Sequence, residues 1–163
     1  MEAISVDAAI VITGRSRRTW WRRIAEGVVC RADDDARGRA MLSWNEVLPH
    51  ICIPMTSEDL AFVLRADAGD AEAQNDIGQL FSIAGKYDAA LYWLQQAAQQ
   101  GHPDAMQWLG RCYLSGEGVP KDNHLGIMWM AKAASHGHVI AKSQMNAMLP
   151  QFVARPSSAT GYL

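Results

Sequence analysis

Few side chains in this sequence are spaced for chemistry. His136 and His138 could touch a metal, but no Cys, Asp or Glu lies at ligand spacing on the same element, so both read as a solvent-facing turn. His102 and His124 stand equally alone, and His50 with Cys52 offers one short spacing without a second pair. Gly116–Val119 has the glycines of a phosphate loop but lacks the lysine and hydroxyl that complete one. No Ser, His and Asp set is selected by spacing. No catalytic group, metal or other cofactor is therefore expected. Two groups do carry a chemistry of contact. Arg15, Arg17, Arg18, Arg22 and Arg23 crowd one short stretch and would make a local positive face suited to phosphate. Trp108 and Arg111 are of the residue types that dominate binding energy at protein interfaces.

Composition narrows the classes. With 163 residues, 49% of them hydrophobic, the chain can hold one or two domains with proper cores. A formal charge of −2 argues against a surface built throughout for nucleic acid, while leaving room for a local patch. The apolar run Ala8–Ile12 is far too short for a membrane span, and the N-terminus lacks the basic region and cleavage site of a secretion signal. A cytoplasmic location and no membrane contact are expected. Cys30, Cys52 and Cys112 are odd in number and scattered, which suits reduced, partly buried thiols better than a disulfide framework.

The elements that must position these residues announce themselves by repetition. Gly69, Ala73, Gly78, Phe81, Trp93, Ala97 and Ala98 recur in the same order as Gly101, Ala105, Gly110, Tyr113, Trp129, Ala133 and Ala134. The glycines Gly69, Gly101 and Gly137 are 32 and 36 residues apart, and Gly137, Ala141, Met145 and Leu149 open a third copy that stops after one helix. A period of this length, with small residues at fixed places, marks stacked helical hairpins. Ala105, Leu109, Cys112 and Tyr113 share one helical face, and Ile127, Met130, Ala131 and Ala134 share one face of the next helix. Trp93 and Trp129 are expected in the core.

The pattern LG..Y..GEGV..D, at Leu109, Gly110, Tyr113, Gly116–Val119 and Asp122, continues as W...AA..G from Trp129 to Gly137 and resembles the Sel1-like repeat family, a relative of the tetratricopeptide repeat. The earlier copy departs from it, since its hairpin connection around Gly85 and Tyr87 is four residues shorter. The resemblance covers about residues 69–149 and implies an α-solenoid that binds proteins, with no catalytic residues. The helix through Leu60, Val63 and Leu64 ends in register with the second helix of each copy, which places the solenoid at 58–149.

Residues 1–48 follow another pattern. Ser5 can cap a helix through Ala8, Ala9 and Ile12, Gly14 makes a turn, and Ser16 caps a second helix ending at Gly27. Val28–Arg31 can pair with Arg39–Leu42 as a short hairpin, and Ser43 with Glu46 reads as a capping box opening a third helix. The order helix, helix, wing, helix is that of a winged helix-turn-helix. The stretch from Ile4 to Val29, with its serine, arginine and threonine at Ser16–Thr19, resembles the excisionase-like and MerR-like DNA-binding families. That resemblance implies DNA contacts from Ser16, Arg17, Arg18, Thr19, Trp21, Arg22 and Arg23, with Arg37 and Arg39 on the wing and Trp20, Ile24 and Val28 in the core. Eight arginines against seven acids in residues 1–57, and Asp33, Asp34 and Asp35 at the wing tip, count against it. Residues 49–57 read as an ordered linker and residues 150–163 as a loosely held tail.

Comparing the copies separates packing positions from free ones. Asp76, Trp108 and Gln144 share one register and Gln74, Met106 and Lys142 another, each apolar only in the middle copy. Met106 and Trp108, with Gln107 and Arg111 beside them, are therefore the candidate anchors for a protein partner. The expected architecture is mainly α: a short α-solenoid of Sel1-like hairpins behind a small winged helix-turn-helix unit. The expected function is a non-enzymatic protein-interaction adaptor, with a DNA-binding regulator as the alternative and a homodimer compatible with both.

Overall fold

The computed structural model describes residues 2–153. The chain runs β1 (Ala3–Ser5), α1 (Val6–Thr13), α2 (Arg17–Ala25), β2 (Arg31–Ala32), β3 (Met41–Ser43), α3 (Trp44–Val47) and a single 3-10 turn at Leu48–His50. Six longer helices follow: α4 (Ser57–Ala68), α5 (Ala71–Ile83), α6 (Tyr87–Gln99), α7 (Pro103–Ser115), α8 (Asn123–Ser135) and α9 (Val139–Val153).

Five of the six long helices start where a side chain takes up an orphan N–H, α6 being the exception. Thr56 and Asp59 form a reciprocal capping box on α4, and Asp122 caps α8. Asp70, His102 and His138 occupy one register of the repeat, and all three accept from the amide three residues on. The two histidines do more than cap. His102 Nε2 lies 2.9 Å from Glu72 and His138 Nε2 lies 3.3 Å from Asp104, so each ties its helix to the first turn of the preceding repeat. Neither belongs to a free turn.

The hairpins α5–α6 and α7–α8 are held by close crossings. A Cβ on Gly78 would stand 2.7 Å from Leu94 Cγ, and one on Gly110 would stand 2.9 Å from Met130 Cγ and 3.1 Å from the Gly126 carbonyl. Only hydrogen at these positions lets the helices approach so far. Trp93, Phe81, Leu94 and Leu109 fill the space between. Trp129, expected in the core, is half-buried, and Lys132 Nζ sits 4.7 Å from its ring centroid. The third copy is a single helix: α9 packs on α8 and continues through Pro150 to Val153, beyond the expected end at residue 149. The remaining residues assigned to a tail, 154–163, lie outside the described ones.

At the N-terminal side the expected order of helix, turn, helix, hairpin and helix is present, with one addition. Ala3–Ser5 pairs antiparallel with β3, giving a three-stranded sheet in the order β1-β3-β2. The hairpin partners are Arg31 with Leu42 and Ala32 with Met41, so β2 is shorter than expected and Val28 lies outside it, 55% exposed. Val28 is thus not core, whereas Trp20 is fully buried and Ile24 partly so. Ser43 makes no capping bond to α3. Glu46 instead accepts from the Cys30 amide at 2.7 Å, tying α3 to the hairpin.

The two parts of the chain meet through one buried carboxylate. Asp67, 5% exposed near the end of α4, accepts from the Ser5 amide at 2.8 Å, the Ser5 hydroxyl at 2.6 Å and Arg39 Nη1 at 2.7 Å. Arg39 also donates to the Asp67 carbonyl at 3.0 Å, and Arg37 to the Ala68 carbonyl at 2.8 Å. Two guanidinium groups therefore serve the open carbonyl end of α4, where positive charge is favoured. Beside them α1 packs on α6, and the Cys52 amide donates to the Ile12 carbonyl at 2.9 Å.

Candidate protein-interaction surface

Helix α7 presents Trp108 and Arg111 three residues apart, hence on one face. The Arg111 guanidinium lies over the Trp108 ring, 4.5 Å from its centroid. Trp108 is half-buried and packs against the core, while Arg111 is exposed. Stacking of this kind holds an arginine's planar fork in place without neutralising it. Next to it, α7, α8 and α9 border an open cavity of about 330 Å³ lined by Arg111, Leu114, Glu117, Met130, Gln144 and Met148. Its floor is apolar, Arg111 stands at its edge, and the Gln144 side-chain oxygen is buried there without a hydrogen-bond partner. The arrangement can accept an apolar side chain, and it offers one fixed cation and one amide for orientation. It has no nucleophile paired with a base.

Two expected anchors are not at the surface. Met106 is 4% exposed and Gln107 8% exposed. The reason is visible at Gln74, which shares the Met106 register and is only 1% exposed. Its Nε2 donates to the Ala66 carbonyl at 3.0 Å and its oxygen accepts from Gln100 at 2.8 Å. The register points into the crevice between hairpins. There a glutamine can be buried if a helix-end carbonyl satisfies it, and a methionine replaces it without cost in polar contacts. Gln107 likewise matches Asn75, 2% exposed. At Gln74 polarity reflects a buried amide, and only Lys142, in the third copy, is exposed to solvent.

Two titratable groups on α5 and α7 are shifted by burial. Burial, reinforced by Glu72, pushes the Asp76 carboxyl up. Burial also raises the Cys112 thiol, which makes it a poor nucleophile. Among the described residues no three His, Cys, Asp or Glu gather to hold a metal ion. No helix among them is long and apolar enough to cross a membrane.

The residues expected to meet DNA are split. Ser16 is the N-cap of α2 and accepts from the Thr19 amide at 3.1 Å, and Thr19 is half-buried. Arg17, Arg18, Trp21 and Arg22 are exposed on α2, with Arg17 paired to Asp7 and Arg22 3.9 Å from Glu26. Arg23 turns inward, its Nη2 3.0 Å from His50 Nε2, while Arg15 approaches the other ring nitrogen at 3.3 Å. Burial and these two cations hold His50 below the usual imidazole range. Arg37 and Arg39 do not line a free wing, because both are committed to the end of α4.

Consecutive antiparallel helix pairs, each closed by a glycine crossing and packed side by side, define an α-solenoid. The Sel1 repeat family model matches residues 71–102 and 103–138, so Sel1 repeats account for the stack from α5 to α8. The chain is also similar to wolframin of Homo sapiens, 28% identical over 88 residues, a match that covers 50% of this chain and 10% of wolframin. Sel1 repeats generally mediate protein–protein interaction and are typically scaffolds rather than enzymes.

The sequence did not point to the histidine caps, although GHPDA at 101–105 and GHVIA at 137–141 stand in register with GDAEA at 69–73. Three matched N-cap positions were the available signal.

Proposed function

We propose that this protein is a non-enzymatic interaction adaptor whose partner is bound on α7 through Trp108 and Arg111, with the N-terminal winged-helix unit as a second docking module. The observation that carries the reading is the guanidinium stacked at 4.5 Å on a half-buried indole beside the cavity between α7 and α9. A side chain entering that cavity meets Met130, Leu114 and Met148, and an accompanying carboxylate or carbonyl meets Arg111. The test is quantitative affinity capture with the intact chain, followed by titration of the purified captured protein against Arg111→Ala and Trp108→Ala. The reading expects both substitutions to weaken binding at least about tenfold. Unchanged binding in both would refute it.

A second reading, DNA binding through α2, is favoured by one observation: α1 packs on α2, and the solenoid packs on α1 and β1 instead, leaving Arg17, Arg18, Trp21 and Arg22 open. Against it, the wing arginines are engaged elsewhere. A gel shift at two salt concentrations, with Arg17, Arg18 and Arg22 changed to alanine, separates the readings. Salt-sensitive binding lost in the variant supports DNA contact, and no shift at low salt eliminates it.

A further inference from the structure

Trp93 and Trp129 align the second helices of the two repeats, which sets Ala89, Tyr92, Trp93 and Gln96 of α6 in register with Leu125, Met128, Trp129 and Lys132 of α8. On α6 this stripe is closed. Ala89 and Trp93 are buried, Tyr92 and Gln96 are half-buried, and α1 packs on the helix. The two helices run in opposite directions. Val11 and Thr13, near the end of α1, face Lys86 and Ala89 across a cleft, while burial raises the Tyr92 hydroxyl, and Asp67 and then Asp7, at the start of α1, add to it. On α8 the stripe is more apolar and yet more open. Leu125 and Met128 are each 38% exposed, Trp129 is half-buried, and Lys132 lies exposed above the indole. Among the described residues the helices packed on α8 are α7 and α9, and neither plays the part that α1 plays on α6. Positions i, i+3, i+4 and i+7 form a ridge one helix wide.

We propose that α8 binds an amphipathic helix of a partner protein, seated as α1 is seated on α6, with small apolar residues on Leu125, Met128 and Trp129 and carboxylates toward Lys132. The template for the occupant is within the chain: α1, VDAAIVIT, offers alanine, valine and isoleucine, one acid and no base. Charge selects the same chemistry. Helix α8 carries Lys132 and no acid, and Asp122 at its cap has its carboxylate committed to the Leu125 amide at 3.0 Å. A second copy of α8 would bring no acid of that helix to Lys132, whereas an acidic helix complements the face. The surface is separate from Trp108 and Arg111 on α7, so either can fail without the other.

The probe is a synthetic, fluorescein-labelled helix of about five turns, long enough to hold helical structure, with Ala, Val and Ile at i, i+3, i+4 and i+7 and glutamate elsewhere. A matched helix carries lysine in place of every glutamate. Anisotropy titration with the full chain should show the acidic helix binding at least about tenfold more tightly than the basic one. Met128→Glu and Leu125→Glu should weaken the acidic helix by a similar factor, Arg111→Ala should leave it unchanged, and Lys132→Glu should shift preference toward the basic helix. Lys132 is exposed, so that last variant keeps the test valid if an apolar-to-acid change disturbs folding. Absent or equal binding of the two helices, or indifference to Met128→Glu and Lys132→Glu, overturns the proposal. So does a concentration-dependent dimer that Met128→Glu dissolves, which makes a second copy the occupant. Acidic-helix binding that appears only after removal of residues 154–163 also overturns it, because the chain's own segment then covers the face.

Discussion

Replacing Asp67 with alanine should uncouple the N-terminal sheet and α1 from the solenoid. Three donors converge on its carboxylate: the Ser5 amide, the Ser5 hydroxyl and Arg39. The Asp67 side chain is 4% exposed, so water cannot replace it without local opening, and each orphaned buried donor costs about 1–3 kcal/mol. Breaking a buried ion pair from one side typically costs about 3–5 kcal/mol. Arg39 is 26% exposed and keeps Asp35 at 2.8 Å, which puts this case at the low end, about 3 kcal/mol. Of a typical total stability of about 5–15 kcal/mol, that is a large share. Urea unfolding gives the magnitude, and amide hydrogen exchange gives the location. Protection should fall at Ser5 and along α1 while α7 and α8 keep theirs. Ser5→Ala is the internal control. It removes one donor to Asp67 and the cap on the Ala8 amide, and should cost about 1–2 kcal/mol. A loss below about 1 kcal/mol for Asp67→Ala, or exchange unchanged at Ser5, would refute this account of the junction.

Gly118→Ala should destabilise by about 2–4 kcal/mol in thermal unfolding, since its Cβ would lie 2.4 Å from Tyr87 Cβ at a φ of +72°. Gly110→Ala should cost about 1–3 kcal/mol although alanine is the better helix former, and a gain in melting temperature would refute the close crossing of α7 and α8. His50 should make the N-terminal part acid-sensitive. Its folded pKa lies below the unfolded value of 6.5, so the unfolded state binds more protons and stability is lost as pH falls from that value through the folded one. An NMR titration of the imidazole and unfolding between pH 7 and 5 (about the ordinary histidine range) check this. His50→Gln should flatten that part of the profile. Arg111→Ala should change stability by less than about 0.5 kcal/mol, which keeps its binding test free of folding effects.

The repeat was legible because packing constraints recur with it. Gly78 and Gly110 are required by Leu94 and Met130, Ala73 and Ala105 are fully buried, and Gly69, Gly101 and Gly137 take positive φ after their helices. Each demand is local, and each appears at least twice. What was not legible came from partners distant in sequence. Met106 seemed free because its register holds Gln74, and only the Ala66 carbonyl and Gln100 explain a buried glutamine there. Arg37 and Arg39 looked like wing residues until α4 brought its carbonyls and Asp67 within reach. Ala3–Ser5 has no alternating pattern to mark it as a strand, and it becomes one because β3 offers an edge. Trp108 and Arg111 were found from residue type and register, but their stacking needed coordinates.

The elements that flank the stack from α5 to α8 differ from its repeats in opposite ways. On the N-terminal side, α4 lacks a helix before it in its own pair, and β1 packs there while Arg37 and Arg39 close its carbonyl end. On the C-terminal side, the register that holds Gly78 and Gly110 holds Asn146, which is exposed. The glycines let Leu94 and Met130 come within about a side-chain radius of the facing backbone, and an asparagine side chain occupies that space. A helix following α9 would therefore have to sit further out than α6 sits from α5. The histidine ladder breaks at the same place, since Ile140 stands where Glu72 and Asp104 reach the next histidine. The crossing that closes each hairpin and the contact that joins each repeat to its successor are thus both missing from α9. α9 therefore departs from the rules that build the stack from α5 to α8.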